Sequence, residues 1–355
     1  MPTPINTLIL GASYGSLLAT KLLLAGHNAH LVCLKAEADL FNAEGARVRM
    51  PVKGKEGLVE VDSRKLKGRL SASPPDGVDP KGYDLVVLAM QEPQYRSDGV
   101  RQLLDRVAKA KVPCMSIMNM PPLPYLARIP GLNLATVRPC FTDATVWDSF
   151  DPACMTLCSP DPQAFRPTEE TTNVLQVRLP TNFKAARFAS DAHTAILTRL
   201  QDDIEKSRFE GMELPVTRKV HDSLFVPMAK WAMLVAGNYR CVQKEAMRPI
   251  KDAVHSNLEE TRAVYDWVAR LCVSLGASPD DMVPFDKYAN AALSLGSPSS
   301  AARALAAGAP NIERVDLLVQ RIAAEKGQRL KAVDDTVALV QEWVDRNRAK
   351  AAKPA

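Results

Sequence analysis

The chain has 355 residues, 46% of them hydrophobic and 24% charged, the composition of a folded soluble protein rather than a disordered one. At roughly 150 residues per domain this length predicts two domains. The 45 basic and 40 acidic residues leave +5, too thin an excess to point to nucleic acid or a membrane surface, and no apolar run approaches the ~18 residues of a membrane-spanning helix.

The first half alternates strand and helix signals. Ile5 to Leu10 is a short apolar run followed at once by a Gly/Ser turn. Ser16 to Ala25 is a strongly apolar helix, and Gly26 is its natural stop. Ala29 to Leu34 reads as a second strand. Asp84 to Met90 is apolar on both faces, as a central parallel strand covered by helices should be. Ser97 to Ala108 is amphipathic, and Pro113 to Met118 is another short strand. This repetition predicts a doubly wound α/β sheet.

From Leu134 to Val220 the signals mix. Thr136 to Trp147, Ala153 to Cys158 and Val174 to Leu179 are β-like, and Phe188, Ala189, Ile196, Leu200 and Ile204 mark one helix face. Glu213 to Thr217 is the candidate last strand of the first domain. Beyond Lys219 the pattern is helical. The stripes are Leu224, Met228, Trp231 and Val235, then Val254 through Leu275, then Ile312 to Ile322, then Val333 to Val344. The expected division is therefore 1–218, 219–348 and a fraying tail 349–355.

The turn Gly11-Ala12-Ser13-Tyr14-Gly15-Ser16 between the first strand and helix admits two chemistries. A glycine-rich turn at a helix N-terminus lets backbone approach a pyrophosphate, and free N–H groups and the dipole attract it. The usual G-x-G-x-x-G spacing is shortened by one residue, with Gly15 as the last glycine. The same letters match G-x-S-x-G, the nucleophile elbow of serine hydrolases, with Ser13 as nucleophile and His193, His221 or His255 as its base. An elbow belongs after a central strand, and this turn follows the first one. The nucleotide reading is therefore preferred. After the second strand, Cys33-Leu34-Lys35-Ala36 offers no acid for a ribose 2′-hydroxyl. Lys35 suits the 2′-phosphate of NADP, although Glu37 and Asp39 follow it. Arg47, Arg49, Lys53 and Lys55 read as an exposed ribbon.

The seven cysteines, Cys33, Cys114, Cys140, Cys154, Cys158, Cys241 and Cys272, are odd in number and irregularly spaced. They predict reduced, mostly buried thiols in a cytoplasmic protein. No histidine lies near Cys154 and Cys158, so no metal is expected. Met1-Pro2-Thr3-Pro4 lacks the basic segment of a signal peptide.

Five segments carry a family resemblance. They are Ile9-Leu10-Gly11 with Gly15-Ser16-Leu17 and Ala25-Gly26-His27; Asp84 to Leu88 with Gln94; Ser116-Ile117-Met118-Asn119; Leu214-Pro215-Val216, Asp222 and Met228-Ala229-Lys230-Trp231; and Ser299-Ser300, Gly308, Pro310 and Glu313. Together they resemble the ketopantoate reductase family from Gly11 to about residue 345. The resemblance implies a Rossmann-like domain followed by an all-helical domain, and NADPH-dependent reduction of 2-dehydropantoate to pantoate in pantothenate biosynthesis. It assigns catalysis to Lys230 and Glu313. Gly11, Ala12, Ser13, Tyr14, Gly15, Lys35, Gln91 and Asn119 would bind NADPH, and Asn238, Ser299 and Ser300 the oxo acid.

The chemistry of these residues agrees. A lysine beside an apolar interdomain cleft loses solvation and becomes a better proton donor near neutral pH. Asn238 follows two turns later, rotated about 80° at 3.6 residues per turn. Glu313, read as opening the late helix with Asp316 one turn on, can hold ribose or offset the lysine charge. Ser299 and Ser300 suit either a carboxylate or a helix cap. The expected partner is a small oxo acid, with no nucleic acid and no membrane. The helical domain offers surface for a homodimer that nothing in the sequence marks.

Several positions depart from the pattern. Gln91 stands for a lysine, Met120-Pro121-Pro122 for a glycine and Leu234 for a second asparagine. A pocket with other polar groups selects other ligands. A different oxo acid, an opine-type imine and non-catalytic nucleotide binding are the competing readings.

Overall fold

A computed structural model describes residues 3–352. They fall into two compact units. The first holds the residues through Met90, Gln94–Arg128 and Thr145–Asp222; the second holds Gln91–Pro93, Ile129–Ala144 and the residues from Ser223 on. The parting is thus not one point near residue 219, because two short pieces of the N-terminal stretch belong to the second unit. Polar contacts hold them there. The buried Glu92 carboxylate accepts from Thr142 N (2.9 Å) and Thr142 Oγ1 (2.8 Å).

Among the described residues the strands are β1 (Asn6–Leu10), β2 (Asn28–Val32), β3 (Arg47–Pro51), β4 (Leu58–Asp62), β5 (Leu70–Ser73), β6 (Leu85–Leu88), β7 (Cys114–Ile117), β8 (Met155–Ser159), β9 (Gln163–Phe165), β10 (Val174–Leu179), β11 (Phe183–Ala186) and β12 (Arg218–His221). All lie in the first unit. Eight make one sheet in the order β12-β11-β8-β7-β6-β1-β2-β5. It is parallel except where β11 meets β8. The run β5-β2-β1-β6-β7-β8 is the 3-2-1-4-5-6 order of a dinucleotide-binding sheet, with its switch point beside β1. The other four make a second sheet, β4-β3-β10-β9.

The helix Ala12–Leu24 packs against strands of both sheets. That explains its strongly apolar sequence, since a helix covered on most sides keeps little polar face. Gly26 ends it at φ 87°, where its N–H meets the Leu23 carbonyl. The helix begins at Ala12, so the expected turn over residues 11–16 shrinks to Gly11 alone.

Lys21 is 2% exposed on this helix. Its ammonium donates to the carbonyls of Leu214 and Pro215, each at 3.0 Å. The tie fixes the approach to β12, where Val216 sits at φ 65°, a strained value for a β-branched residue. That kink is why Glu213 to Thr217 is not the last strand and Arg218–His221 is. Burial lowers the Lys21 ammonium pKa from 10.5 to about 8. In the unfolded chain it stays protonated to near 10.5. Between pH 8 and pH 10 the unfolded state therefore binds more protons, and stability rises with pH. The urea midpoint should climb over this range in the wild type and stay flat in Lys21→Met. Equal slopes would remove Lys21 as the cause.

The second unit is helical. Its longer helices are Leu258–Ser274, Val315–Glu325 and Lys331–Ala351. The stripe from Val254 to Leu275 spans two helices, because Asn257 caps the second through Glu260 N (3.1 Å). Thr136 to Trp147 is not β structure. It forms the helix Leu134–Val137, capped by Asn133, and two 3₁₀ turns. Pro139, without an N–H, would break a ladder there. Phe188 and Ala189 precede their helix, Asp191–Lys206. The expected tail is helical through Ala351, and residues 353–355 lie outside the described residues. All seven cysteines are free thiols, six of them buried. Among the described residues no helix is long and apolar enough to cross a membrane.

Candidate active site

In the first unit Gly11, Lys35 and Asn119 follow the carboxyl ends of the parallel strands β1, β2 and β7. Gly11 has φ 104°, and a Cβ there would lie 2.7 Å from the Ala89 carbonyl oxygen and 2.6 Å from Met90 Cγ. Only glycine fits. The helix it introduces has no side-chain cap and no acid in its first turn, so the first-turn N–H groups, Ala12 and Ser13 among them, have no intrahelical acceptor. Such an N-terminus suits an anion. Asn119 is half-buried and its Oδ1 has no hydrogen-bond partner. An uncapped helix N-terminus, a required glycine and an orphaned amide oxygen fit a dinucleotide.

Other candidates serve otherwise. The Tyr14 ring packs edge-on against Phe183 at 5.7 Å and its hydroxyl donates to the Pro162 carbonyl at 2.7 Å, which leaves its backbone N–H for a ligand. Gly15 is required by packing, because its Cβ would meet Ile9 Cγ2 at 2.6 Å. Ser13 is exposed with helical backbone, whereas a nucleophile elbow needs a strained turn. His193 stacks edge-on with Phe188, and His255 lies 2.9 Å from the Ala289 carbonyl. Ser13 thus lies in a helix rather than on the strained turn of an elbow.

Lys35 is exposed and paired with Asp39 at 3.0 Å. The sequence reading missed Arg166, which β9 carries to the end of β2. There its Nη1 pairs with Glu37, and its buried Nη2 has no partner. Both charges act on the Cys33 thiol, which burial, aided by Glu37, pushes up to about 12 against the pull of Arg166. No local signal could reveal Arg166, about 130 residues from Glu37 in the chain.

Gln91, Glu313, Lys230, Asn238 and Ser299 all belong to the second unit. Glu313 is buried and precedes the helix Val315–Glu325 instead of opening it. Its Oε1 accepts from the backbone N–H of Glu92 at 3.3 Å, next to the exposed Gln91. The Tyr239 hydroxyl donates to the Glu313 carbonyl (2.6 Å) and accepts from Val315 N (3.0 Å). Asp316 is not free for chemistry, since Arg314 grips it twice at 3.0 Å with both residues buried.

Lys230 is half-buried at the start of a helical turn, Lys230–Met233. The next five residues, Leu234–Asn238, form a π turn, so the helix between Lys230 and Asn238 is not regular. The Ser299 hydroxyl donates to the Asn238 carbonyl (2.7 Å) and accepts from Ala302 N (3.2 Å). It holds Asn238 and caps the helix Ser300–Ala306. Ser300 is exposed and its Oγ accepts from Arg303 at 3.3 Å.

No family model and no curated protein matches the sequence. Solved structures do match. A PanE/ApbA family ketopantoate reductase from Ralstonia eutropha JMP134 is 18% identical with a TM-score of 0.60, covering 97% of this chain and 100% of that one. D-mandelate dehydrogenase with NADH and anilino(oxo)acetate is 13% identical at 0.63, covering 97% and 99%. A dimeric ketopantoate reductase from Staphylococcus aureus is 9% identical at 0.58, covering 97% and 100%. Over nearly its whole length, the chain has the fold of the ketopantoate reductases and of D-mandelate dehydrogenase.

Proposed function

We propose that the protein is a divergent member of the ketopantoate reductase family that reduces a 2-oxo acid to a 2-hydroxy acid with NADPH. The observation that carries this is the uncapped helix N-terminus behind Gly11 at the switch point of the sheet. When bound, the nicotinamide supplies the hydride for the ketone carbon. The chain's own residues do the rest. Gly11 and the first-turn N–H groups would hold the pyrophosphate, and Asn119 Oδ1 would accept from the nicotinamide end. Lys230 Nζ polarises the ketone oxygen and gives it a proton as the alcohol forms. The Asn238 amide binds the substrate beside it. Glu313, steadied by the Glu92 amide, orients the ligands.

Arg166 Nη2, buried and unpartnered beside the end of β2, favours the 2′-phosphate of NADPH more than Lys35 does. Glu37 supports a second reading, NADH, if it takes the ribose hydroxyls instead. The departures at Gln91, Met120 and Leu234 favour an oxo acid other than 2-dehydropantoate. The likeness to a dehydrogenase holding anilino(oxo)acetate supports that wider class. The dimeric relative supports a homodimer.

Titration with NADPH and NADH, followed by nicotinamide fluorescence, tests the reading. NADPH should bind at least tenfold more tightly. Gly11→Ala should abolish binding, because its Cβ would press on the Ala89 carbonyl. Binding of neither nucleotide would overturn the reductase. Preference for NADH would give the ribose to Glu37.

A further inference from the structure

The π turn at Leu234–Asn238 is held open by side chains. The Tyr288 hydroxyl donates to the Met233 carbonyl at 3.1 Å, where the turn begins. At its far end Cys241 Sγ approaches the Gly237 carbonyl at 3.6 Å, and Ser299 binds the Asn238 carbonyl at 2.7 Å. Tyr288 comes so close that a Cβ on Gly237 would lie 1.9 Å from its hydroxyl. The Tyr288 ring is itself fixed, stacked on Tyr265 at 5.4 Å and 20°.

The extra residue changes the phase of the helix. Eight residues of regular helix leave Asn238 about 80° round from Lys230. A π turn closes i→i+5 bonds and counts as one inserted residue, which leaves about seven effective steps and an offset near 20°. The wide turn therefore sets Lys230 and Asn238 on one face. We infer that Tyr288 is a positioning residue for the oxo acid site: by holding the Met233 carbonyl, in space that Gly237 alone leaves open, it maintains the π turn that aligns Asn238 with Lys230. The inference rests on the reductase reading for what the aligned pair does.

The test uses the full-length protein. Tyr288→Phe keeps the stacked ring and removes only the hydroxyl. Hydrogen exchange of residues 234–241 should rise at least tenfold. The KM for the best oxo acid of a screen should rise about tenfold, the size of one lost hydrogen bond, with NADPH affinity unchanged. Asn238→Ala should raise KM by a similar factor, and the double variant should be no worse than either single one. In Gly237→Ala the clash should lower the melting temperature, and adding Tyr288→Phe should restore most of the loss. Unchanged exchange in Tyr288→Phe, or additive effects on KM, would overturn the inference. Wild-type protein that turns over no oxo acid would overturn the reductase reading, and with it the positioning role.

Discussion

Lys230→Ala is expected to lower kcat for oxo acid reduction by about 10²–10⁴-fold, the usual worth of a positioned general acid, and to leave NADPH affinity unchanged. The separation follows from where the groups lie. The proposed nucleotide site behind Gly11 belongs to the first unit, and Lys230 to the second. Lys230→Arg sharpens the test. A guanidinium keeps the charge but does not release a proton near neutral pH. It should retain oxo acid binding while kcat stays near that of the alanine variant. Melting curves close to wild type would show that the half-buried lysine is not needed for folding. An alanine variant with wild-type kcat would remove Lys230 from proton transfer.

Asp316→Ala is expected to destabilise the second unit by about 3–5 kcal/mol, the effect of stranding one member of a buried ion pair. Asp316 is fully buried and Arg314 is 6% exposed. Arg314 also donates to Gln341 Oε1 at 2.6 Å, but an amide cannot neutralise it. Arg314→Met with Asp316→Leu should recover most of the loss, because an apolar pair of similar volume removes both desolvated charges. Urea unfolding followed by tryptophan fluorescence reads both. A shift under 1 kcal/mol in Asp316→Ala would mean that the guanidinium finds water or another partner. The same variant should loosen Glu313, which neighbours Arg314, so oxo acid turnover should fall with stability.

Much of the site was legible in short stretches of chain. Gly11 and Gly26 stand out because a strand end and a helix stop each need a conformation that side chains resist. The helix between them is mostly apolar because strands of both sheets pack against it. The run Leu85–Leu88 reads as central for the same reason. Lys230, Asn238 and Glu313 are candidates through the family likeness. Arg166, Tyr288 and the Arg314–Asp316 pair are not. Their partners lie far off in sequence or depend on an irregular turn.

The sequence by itself determined the alternation of strands and helices, the change to a helical pattern near the end of β12 and the glycine that follows β1. Those follow from hydrophobic period and backbone freedom, which are local. Only the tertiary structure decided that Gln91–Pro93 belongs to the second unit, that Arg166 reaches Glu37, and that the helix after Met233 widens into a π turn. These depend on which buried polar group finds which partner. That pairing is settled when the whole chain is packed, because an unpaired buried group costs more than a local preference can return.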